Sequence, residues 1–541
     1  MKKLLSLLLV LALLPCAAMA ESEAAQLANA VSSIRLETPT LPLVEEPVTL
    51  TLMFQKASNN QTDFENMFQI EAIEQLTGIR LEVEPIESAA WAEKLPLAMI
   101  GEEYGDIFLD GISFSDADSF GQDGYLIPLE DLLEEYAPNA MKILDTMPNG
   151  RKNVTASDGH IYLMPAYNGT PRDMLANIFQ EINGEWLDAI GMEAPDTLDE
   201  FYDMLVAFKT QDPNGNGEED EIPWSFVWDN GAYNMVLGAF GFVNGRHDVI
   251  DGQYVYIPAQ ENYRHYVEFM AKLYAEGLLD AEVFTQTNEQ YVAKMQEMIV
   301  GFTPNNHYGT IGLENYLKTV NCKPLTSEYN DTPMHPGNQP EVPTYGMCIT
   351  NKATEEEAIA AIKLLDYLYS EEGSFLTKCG PEYGAWGDMI DGGYIRTENA
   401  DGSYSYELVA GEEYGNNYAR FRQTIGLWSI PFFYSSVHEA CIVGSDPGNN
   451  HITTKAFESG MVDARREGYP ALATFTYDEQ DTLATYTLMD SYVDRTVAAW
   501  ITGEAELNDE TWAAYLAELQ AYDIDTMIEI RQDAYERYLS R

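Results

Sequence analysis

The sequence predicts a mixed α/β protein with a mainly parallel sheet and more than one domain. A chain of 541 residues is too long for one ordinary core, which indicates two or three domains. Apolar residues make up 45% of the chain and aromatic residues 12%, so it can build a packed interior. Its opening elements follow the order strand, helix, strand, and a helical crossover of this kind pairs two strands in parallel.

The opening unit follows from the hydropathy pattern. Residues 48–54 read as a strand, residues 63–76 as a helix that ends at Gly78, and residues 79–84 as a second strand. A further short strand at 105–109 comes after another helical stretch and continues the pattern. Together these elements predict a parallel sheet near the start of the chain.

Capping boxes mark two later helices. Thr197 with Glu200, and Thr354 with Glu357, have the spacing at which the first side chain accepts a backbone N–H while the second reaches back. The second box precedes an apolar stripe with helical spacing. The stripe consists of Ala358, Ile359, Ile362, Leu365, Leu368 and Tyr369.

The charge of the chain argues against several kinds of partner. With 88 acidic and 30 basic side chains, the formal net charge is −58. Nucleic-acid binding needs clustered Lys and Arg, so we expect no nucleic-acid partner, and the same charge disfavours docking on an anionic lipid surface. An exported protein that binds neutral ligands or cations fits this composition.

The amino end reads as an export signal. Lys2-Lys3 precedes an apolar run from Leu4 to Leu14, and Ala18-Met19-Ala20 fits a cleavage site. The run is shorter than the roughly 20 residues that span a bilayer. We therefore predict a signal peptide over 1–20 and a flexible tether over 21–45.

The five cysteines leave two alternatives open. Cys16 allows lipid anchoring at the cell surface, but Pro15 directly before it fits a lipoprotein cleavage site poorly, so simple secretion is favoured. The other four form no CxxC pair, which argues against a zinc ribbon or redox motif. Outside the cell they could form disulfides, or they could be small buried apolar residues. These four are Cys322, Cys348, Cys379 and Cys441.

The strongest chemical signal is an acidic loop at 212–223, which we call the cation loop. Oxygen-bearing side chains alternate along it, and Gly215 and Gly217 let the backbone turn tightly around a centre. Calcium takes six to eight oxygen ligands in a flexible shell. The candidate ligands are the side chains of Asp212, Asn214, Asn216, Asp220 and Glu221, with the main-chain oxygen of Glu218.

The cation loop differs from an EF-hand. The Glu expected at the twelfth position is replaced by Pro223, and no typical helix pair flanks the loop. A bound calcium ion would therefore have a structural role, fixing the connection between a capped helix and the strand-like segment 224–228. The alternative is an acidic Asn-Gly turn without a metal.

No motif favours catalysis. The chain has no G-x-S-x-G, H-E-x-x-H or P-loop sequence, and its seven histidines show no metal-ligand spacing. Acidic pairs are too frequent to single out a glycosidase dyad. We therefore expect a binding protein and not an enzyme.

Four stretches carry a resemblance to a known family. They are 186–201 running into the cation loop, 358–373, 501–505 with Trp512 and Tyr515, and 534–538. In this order they resemble the family 1 bacterial extracellular solute-binding proteins of ABC sugar importers, and most closely the alginate-oligosaccharide-binding and LipO-like subgroup. The segment 380–386 departs from the pattern that relatives often show there.

The resemblance implies a two-lobed periplasmic-binding-protein fold (type II-like), in which sugar is held between lobes joined by a hinge. It implies a structural Ca²⁺ in the cation loop, whose candidate ligands match those of the subgroup one by one. It also implies delivery of an oligosaccharide to an ABC permease in the membrane, and we expect a monomer. The predicted units are lobe 1 at 46–165 with a return segment at roughly 305–380, lobe 2 at 166–304, and a mostly helical part at 381–541 that completes lobe 2 and the hinge.

Candidate ligand-binding residues follow from carbohydrate chemistry. The C–H faces of a sugar stack on aromatic rings, and its hydroxyls need donors and acceptors. The stacking candidates are Trp91, Trp228, Trp386, Trp428 and Tyr434, the hydroxyl acceptor candidate is Asp110, and Tyr167 and Asn168 lie where the chain is expected to cross first between lobes. Core packing is the alternative for each aromatic residue.

Two other functions stay open beside oligosaccharide transport. One is a secreted glycan-active enzyme that uses carboxylates, and the other is a receptor for peptides or lipid precursors on the same fold. The acidic charge favours a neutral or nitrogen-containing oligosaccharide over an acidic one.

Overall fold

The computed structural model describes two α/β lobes and segments that join them. The described residues are 34–56, 67–147, 149–168, 180–228, 232–243, 245–304, 308–336, 346–400, 404–415, 418–426, 430–434, 438, 451, 454–455, 458–461, 463–466, 468–470 and 472–541. The predicted signal peptide with Cys16, residues 21–33 of the predicted tether, Trp428 and Cys441 lie outside these residues. Within the described ranges, no helix combines the length and the apolar character needed to cross a membrane.

The first sheet has five described strands. In order across the sheet they are Ile79–Glu87, Val48–Lys56, Ile107–Phe108, Gly346–Ile349 and Met164–Pro165. The first three run parallel, and the strand Gly346–Ile349 is antiparallel to both of its neighbours. The predicted strand–helix–strand opening is confirmed, with the helix at Phe68–Thr77 and Gly78 in the left-handed region at φ 78°.

Helices pack on the first sheet and complete what we call the first lobe. They are Phe68–Thr77, Ser88–Gly101, Phe114–Gln122, Glu130–Tyr136, Pro138–Thr146, Glu355–Tyr369, Glu371–Lys378 and Tyr418–Ile425, with 3-10 turns Gly387–Met389 and Glu412–Tyr414 and an antiparallel hairpin of Gly392–Glu398 with Tyr404–Ala410. The predicted capping box is confirmed, since Thr354 accepts the N–H of Glu357 and donates its own to the Glu357 carboxylate. The apolar stripe that follows is buried in one cluster with Leu50 and Ile107, except for Ile359, which is only partly buried.

The second sheet has four described strands and forms the centre of the second lobe. Their order is Thr319–Asn321, Gln180–Asn183, Val300–Pro304 and Ile222–Trp224, and the last two are parallel. The helices are Gly184–Ile190, Leu198–Thr210, Glu261–Ala275, Asn288–Gln296, Tyr308–Ile311 and Leu313–Tyr316, with 3-10 helices Ala232–Phe240 and Ile257–Ala259 and a hairpin of His247–Ile250 with Gln253–Tyr256. Its core is aromatic, because the rings of Phe201, Trp224 and Phe302 meet at centroid distances of 4.9 to 5.5 Å.

The chain passes between the two lobes three times. It leaves the first sheet after Asn168 and enters the second at Gln180, and it returns between Asn321 and Gly346. After Tyr434 it crosses again, and the helices Tyr477–Ala484, Thr487–Thr502, Asp509–Ala521 and Ile524–Ser540 follow. Residues of the segment 381–541 contribute to the cores of both lobes. Ile390 and Phe421 are buried in the core of the first lobe, and Trp500 and Trp512 are buried in the core of the second. The exact lobe boundaries stay a prediction.

The last helix, Ile524–Ser540, contacts both lobes. Ile524 is buried in the core of the second lobe. Roughly four turns later, Tyr538 packs with Phe114 of the first lobe and donates a 3.3 Å hydrogen bond to Asn153. The helix therefore ties the second lobe to the first by direct side-chain contact.

A glycine in the second sheet permits close packing of two aromatic rings. A Cβ atom on Gly301 would stand 2.5 Å from the ring of Phe208 and 2.9 Å from that of Trp186. We expect Gly301→Ala to lower the free energy of unfolding by about 1–3 kcal/mol, because the rings have to move in a packed core. Urea denaturation measures the effect. Gly101→Ala is the control, since its nearest neighbouring atom is 3.6 Å away; an equal loss in both variants would contradict the packing explanation.

Candidate functional site

Two predicted ligand-binding residues lie just after the carboxyl ends of parallel strands. Asp110 follows the strand Ile107–Phe108 of the first sheet, and only 4% of it is exposed. Trp228 follows the strand Ile222–Trp224 of the second sheet. Ligands of open α/β sheets bind outside the carboxyl ends of the strands. Each lobe therefore places one of these side chains at the edge where a ligand is expected.

A short parallel ribbon brings three other predicted residues together. The strand Tyr167–Asn168 pairs with Phe433–Tyr434, and Asn168 lies opposite Tyr434. The Tyr167 side chain is buried, with its ring centroid 5.9 Å from that of Tyr369. Because the chain leaves the first sheet at this ribbon, these residues lie where the first passage between the lobes begins.

The Trp228 ring extends the aromatic core of the second lobe toward the surface. Its centroid is 6.0 Å from that of Phe226 and 4.3 Å from that of Phe284, and its backbone N–H donates to the Val283 carbonyl at 3.0 Å. The side chain is only partly buried. A partly exposed ring held by two aromatic neighbours has the properties that stacking on a sugar requires.

The other predicted tryptophans occupy different environments. Trp91 is buried in the first lobe, and its indole N–H donates to the Gly111 carbonyl at 2.8 Å, so it supports the turn that carries Asp110. Trp386 is partly buried against Phe68 at a centroid distance of 5.3 Å and lines a separate cavity of about 480 Å³. Their contact with a ligand stays a prediction.

The cation loop folds so that its polar side chains converge on one carboxylate. The side-chain amide of Asn214 donates to Asp220 at 2.9 Å, and that of Asn216 donates to both Asp220 oxygens at 3.2 and 3.0 Å. The Gly217 N–H donates to Asp212 at 3.1 Å. Gly215 and Gly217 both have positive φ, at 71° and 78°, which explains the two glycines.

The Glu221 carboxylate is incompletely paired within this cluster. One of its oxygens is buried and has no hydrogen-bond partner among the described residues. Burial raises the pKa of Glu221, and the negative charges of Asp220 and Asp212 raise it further. A divalent cation would supply the missing partner and offset the repulsion, so the residues present fit calcium.

The three carboxylates of the cation loop, on Asp212, Asp220 and Glu221, do not by themselves form a metal-holding group in the described conformation. In the part of the chain that the structure describes, no group of three or more His, Cys, Asp or Glu side chains is arranged to hold a metal ion. To bind a cation here, Asn side chains and main-chain oxygens would have to complete the shell. The amides of Asn214 and Asn216, whose nitrogens now face Asp220, would have to turn their oxygens toward the ion. Such neutral oxygens are ordinary ligands of calcium.

Sequence reasoning missed three buried polar residues, two of which lie at the same edge of the second sheet. Gln180 opens the strand Gln180–Asn183, and Asn321 closes the strand Thr319–Asn321, where its amide lies 3.6 Å from the sulfur of Met461. Polar residues at the ends of short strands were the available signal for these two. His335 is also buried, but a single histidine between prolines carries no such signal.

Comparison with known proteins finds FusA among the proteins that are similar to this chain in both sequence and structure. The fructooligosaccharide ABC transporter substrate-binding protein FusA of Streptococcus pneumoniae is 35% identical over 294 residues, which are 52% of this chain and 54% of FusA. The structure of FusA in complex with kestose matches with a TM-score of 0.71 at 26% identity, over 91% of this chain and 99% of that chain. A FusA EF-hand mutant in complex with fructo-nystose matches with a TM-score of 0.71 at 25% identity, over 91% and 99%.

Two further relatives agree with the resemblance seen in the sequence. Lipoprotein LipO of Bacillus subtilis is 31% identical over 142 residues, which are 24% of this chain and 28% of LipO. The alginate-binding protein AlgQ2, in a structure without calcium ion, shares the fold with a TM-score of 0.65 at 19% identity, over 91% of this chain and 99% of that chain. In sequence, this chain spans about half the length of FusA and about a quarter of LipO.

The family follows from these comparisons. The predicted two-lobed α/β fold class is confirmed, because the sheets and helices described above match those of two-lobed solute-binding proteins. The family model described as bacterial extracellular solute-binding protein matches residues 59–374, which is more than half of the chain. The chain therefore belongs to the family of bacterial extracellular solute-binding proteins.

Proposed function

We propose that this protein is the extracellular substrate-binding component of an ABC importer, which captures an oligosaccharide between its lobes and delivers it to a membrane permease. The observation that carries the proposal is the likeness to FusA, which extends over nearly the whole fold and includes a complex with kestose. The positions of Asp110 and Trp228, one after a strand of each sheet, support a ligand site between the lobes.

The proposed ligand is a neutral oligosaccharide. A net charge of −58 repels an acidic sugar at long range, whereas it leaves a neutral sugar unaffected. Trp228 offers a ring for a C–H face of the sugar, and Asp110 offers a carboxylate that accepts hydrogen bonds from hydroxyls. Fructo-oligosaccharides are the first ligands to test, because FusA is described as binding them.

Titration calorimetry with a panel of neutral oligosaccharides tests this function. We expect saturable binding of one sugar per chain, and we expect the sugar to be recovered unchanged after prolonged incubation. Shorter sugars that accumulate with time would instead show a glycan-active enzyme. Binding of peptides, with no oligosaccharide bound, would show a receptor for another solute on the same fold.

Trp228→Ala locates the site within the molecule. We expect it to weaken sugar binding about tenfold, because an aromatic contact of this kind contributes about 0.5–1.5 kcal/mol beyond its buried area. Tyr404→Ala is the matched control, since Tyr404 is an exposed aromatic residue on the hairpin of the first lobe. Equal affinities for the Trp228 variant and the parent protein would exclude Trp228 from the site.

We also propose that the cation loop binds one structural Ca²⁺. The side chains of Asp212, Asn214, Asn216, Asp220 and Glu221 and the carbonyl oxygen of Glu218 would hold it. The buried, unpartnered oxygen of Glu221 supports this assignment, and so does the description of a FusA variant as an EF-hand mutant. The ion would fix the connection between the helix Leu198–Thr210 and the strand Ile222–Trp224, and so steady the segment that carries Trp228.

The proposed location is outside the cell membrane, with the protein acting as a monomer. Cleavage after Ala20 would release it, and this is favoured over lipid anchoring at Cys16 because of Pro15. The mass of the mature amino-terminal peptide distinguishes the two forms. A lipid-modified cysteine at the amino end would show that the protein is anchored to the membrane and not released.

A further inference from the structure

One buried histidine has hydrogen-bonding capacity that the fold does not use. His335 is 1% exposed and lies in the two-residue strand His335–Pro336, which pairs in parallel with Arg465–Arg466. Neither ring nitrogen of His335 has a hydrogen-bond partner among the described residues. Burial lowers the pKa of His335 to about 4, so the ring is neutral at pH 7 and offers one donor and one acceptor.

An unused donor and acceptor inside a protein require a reason. Leaving a buried polar group unpaired costs about 1–3 kcal/mol, and the great majority of buried polar atoms in folded proteins are paired. Neither ring nitrogen of His335 forms a hydrogen bond with a charged side chain among the described residues. The histidine is therefore neither part of an ion pair nor the member of a catalytic pair in the described part of the chain.

His335 lies on a segment that joins the two lobes. Its segment lies on the chain between Asn321 of the second sheet and Gly346 of the first, which is one of the passages between the lobes. The Met334 carbonyl lies so close to Gly238 that a Cβ atom there would collide with it. Gly238 belongs to the 3-10 helix Ala232–Phe240, which follows the strand Ile222–Trp224 of the second sheet along the chain.

The neighbouring strand fixes this segment to the second lobe. The Arg466 guanidinium donates to the Val249 carbonyl at 2.8 Å and forms an ion pair with the buried Asp248. Both partners belong to the hairpin that starts with His247–Ile250. The segment of His335 is thus held in place by the second lobe.

We propose that His335 is a ligand-binding residue whose two ring nitrogens donate one hydrogen bond to, and accept one from, neighbouring hydroxyls of a neutral saccharide. The proposal rests on the proposed function and adds a residue with a defined role to it. Since the ring is enclosed in the described conformation, the sugar reaches it when the lobes separate and covers it when they close, as in hinged binding proteins generally. A vicinal diol satisfies both nitrogens at once.

The fold offers a matched control histidine. His438 is 2% exposed, and its pKa is also lowered to about 4, mainly by burial. Its Nε2 atom, however, lies 3.4 Å from the Glu371 carbonyl oxygen, and its ring packs on Phe375 at a centroid distance of 4.4 Å. His438 therefore uses its polar atoms within the first lobe, while the fold makes no such use of His335.

The test compares His335→Leu with His438→Leu in the full mature chain. A saccharide that the parent protein binds is titrated by calorimetry, and thermal unfolding is measured without ligand. For His335→Leu we expect at least a tenfold weaker affinity with a melting temperature that is unchanged or higher, because leucine removes an unpaired polar group at similar volume. For His438→Leu we expect a lower melting temperature and an unchanged affinity.

The outcomes separate this proposal from the proposed function. If the parent protein binds none of the oligosaccharides, the proposed function fails. If the parent protein binds a sugar and His335→Leu binds it equally well, the role of His335 is wrong. Should His335→Leu not fold, ¹⁵N chemical shifts of the His335 ring in the parent protein decide, since sugar binding must change the shifts of both nitrogens; unchanged shifts overturn the proposal.

Discussion

Replacing Asp366 with alanine is expected to lower the free energy of unfolding by about 2–3 kcal/mol. Asp366 is 3% exposed, and its Oδ1 atom accepts the backbone N–H groups of Asn139 and Ala140 at 2.7 and 3.1 Å. These groups start the helix Pro138–Thr146, where no intrahelical carbonyl is available to them. The alanine variant leaves them buried without an acceptor. Guanidinium chloride unfolding measures the loss.

The matched control is Asp145→Ala at the far end of the same helix. Asp145 is exposed and forms a surface ion pair with Arg151 at 2.8 Å, so its removal should change stability by no more than about 0.5 kcal/mol. If the two variants lose the same stability, the capping role of Asp366 is wrong.

The pH dependence of stability gives an independent measurement on Asp366. Burial raises its pKa from 3.8 to about 6, although the hydrogen bonds from Ala140 and Asn139 lower it. Because the pKa is raised in the folded state, the contribution of Asp366 to the free energy of unfolding is fully present below about pH 4. It is lost as the pH rises toward 6. Asp366→Asn should remove this part of the pH dependence, and an identical pH profile in both proteins would contradict the assignment.

Removal of calcium is expected to have the second large effect. With free calcium at one hundred times its dissociation constant, a bound ion stabilises the folded state by about 2.7 kcal/mol. Chelation by EDTA should therefore lower the melting temperature, and added calcium should restore it. Elemental analysis of the purified protein should show about one calcium per chain. A preparation without metal whose melting temperature ignores both EDTA and calcium would contradict the calcium proposal.

Single substitutions assign the calcium effect to the cation loop. Glu221→Gln and Asp220→Asn should each weaken calcium binding, because each removes one of the negative charges that the ion offsets. Glu219→Gln is the matched control, since Glu219 lies on the same loop and is exposed but belongs to no predicted ligand set. If all three variants respond to EDTA as the parent protein does, the ion binds elsewhere.

The local features of the fold were predictable from the sequence. The capping boxes at Thr197 and Thr354 depend on residues three positions apart, so a short segment holds all the information. The strand–helix–strand opening and the turn at Gly78 are local in the same sense. For this reason the α/β class and the position of the cation loop could be predicted.

The arrangement of distant segments was not predictable in this way. The strand Gly346–Ile349 inserts between Ile107–Phe108 and Met164–Pro165, and Tyr167–Asn168 pairs with Phe433–Tyr434 from much later in the chain. Such pairings depend on tertiary packing, for which no short pattern exists. The burial of Trp91 against Gly111 has the same origin, so this tryptophan, predicted as a stacking candidate, is enclosed in the first lobe.

The bridging position of the final helix has a practical consequence for experiments. A protein truncated before Ile524 would expose Phe114 of the first lobe and part of the aromatic core of the second lobe. Neither lobe should therefore be produced without the helix Ile524–Ser540. An affinity tag fused directly after Arg541 would also crowd the contact between Tyr538 and Asn153. Tags are better placed after the predicted cleavage site at Ala20 and ahead of Ile34, which is buried in the first core.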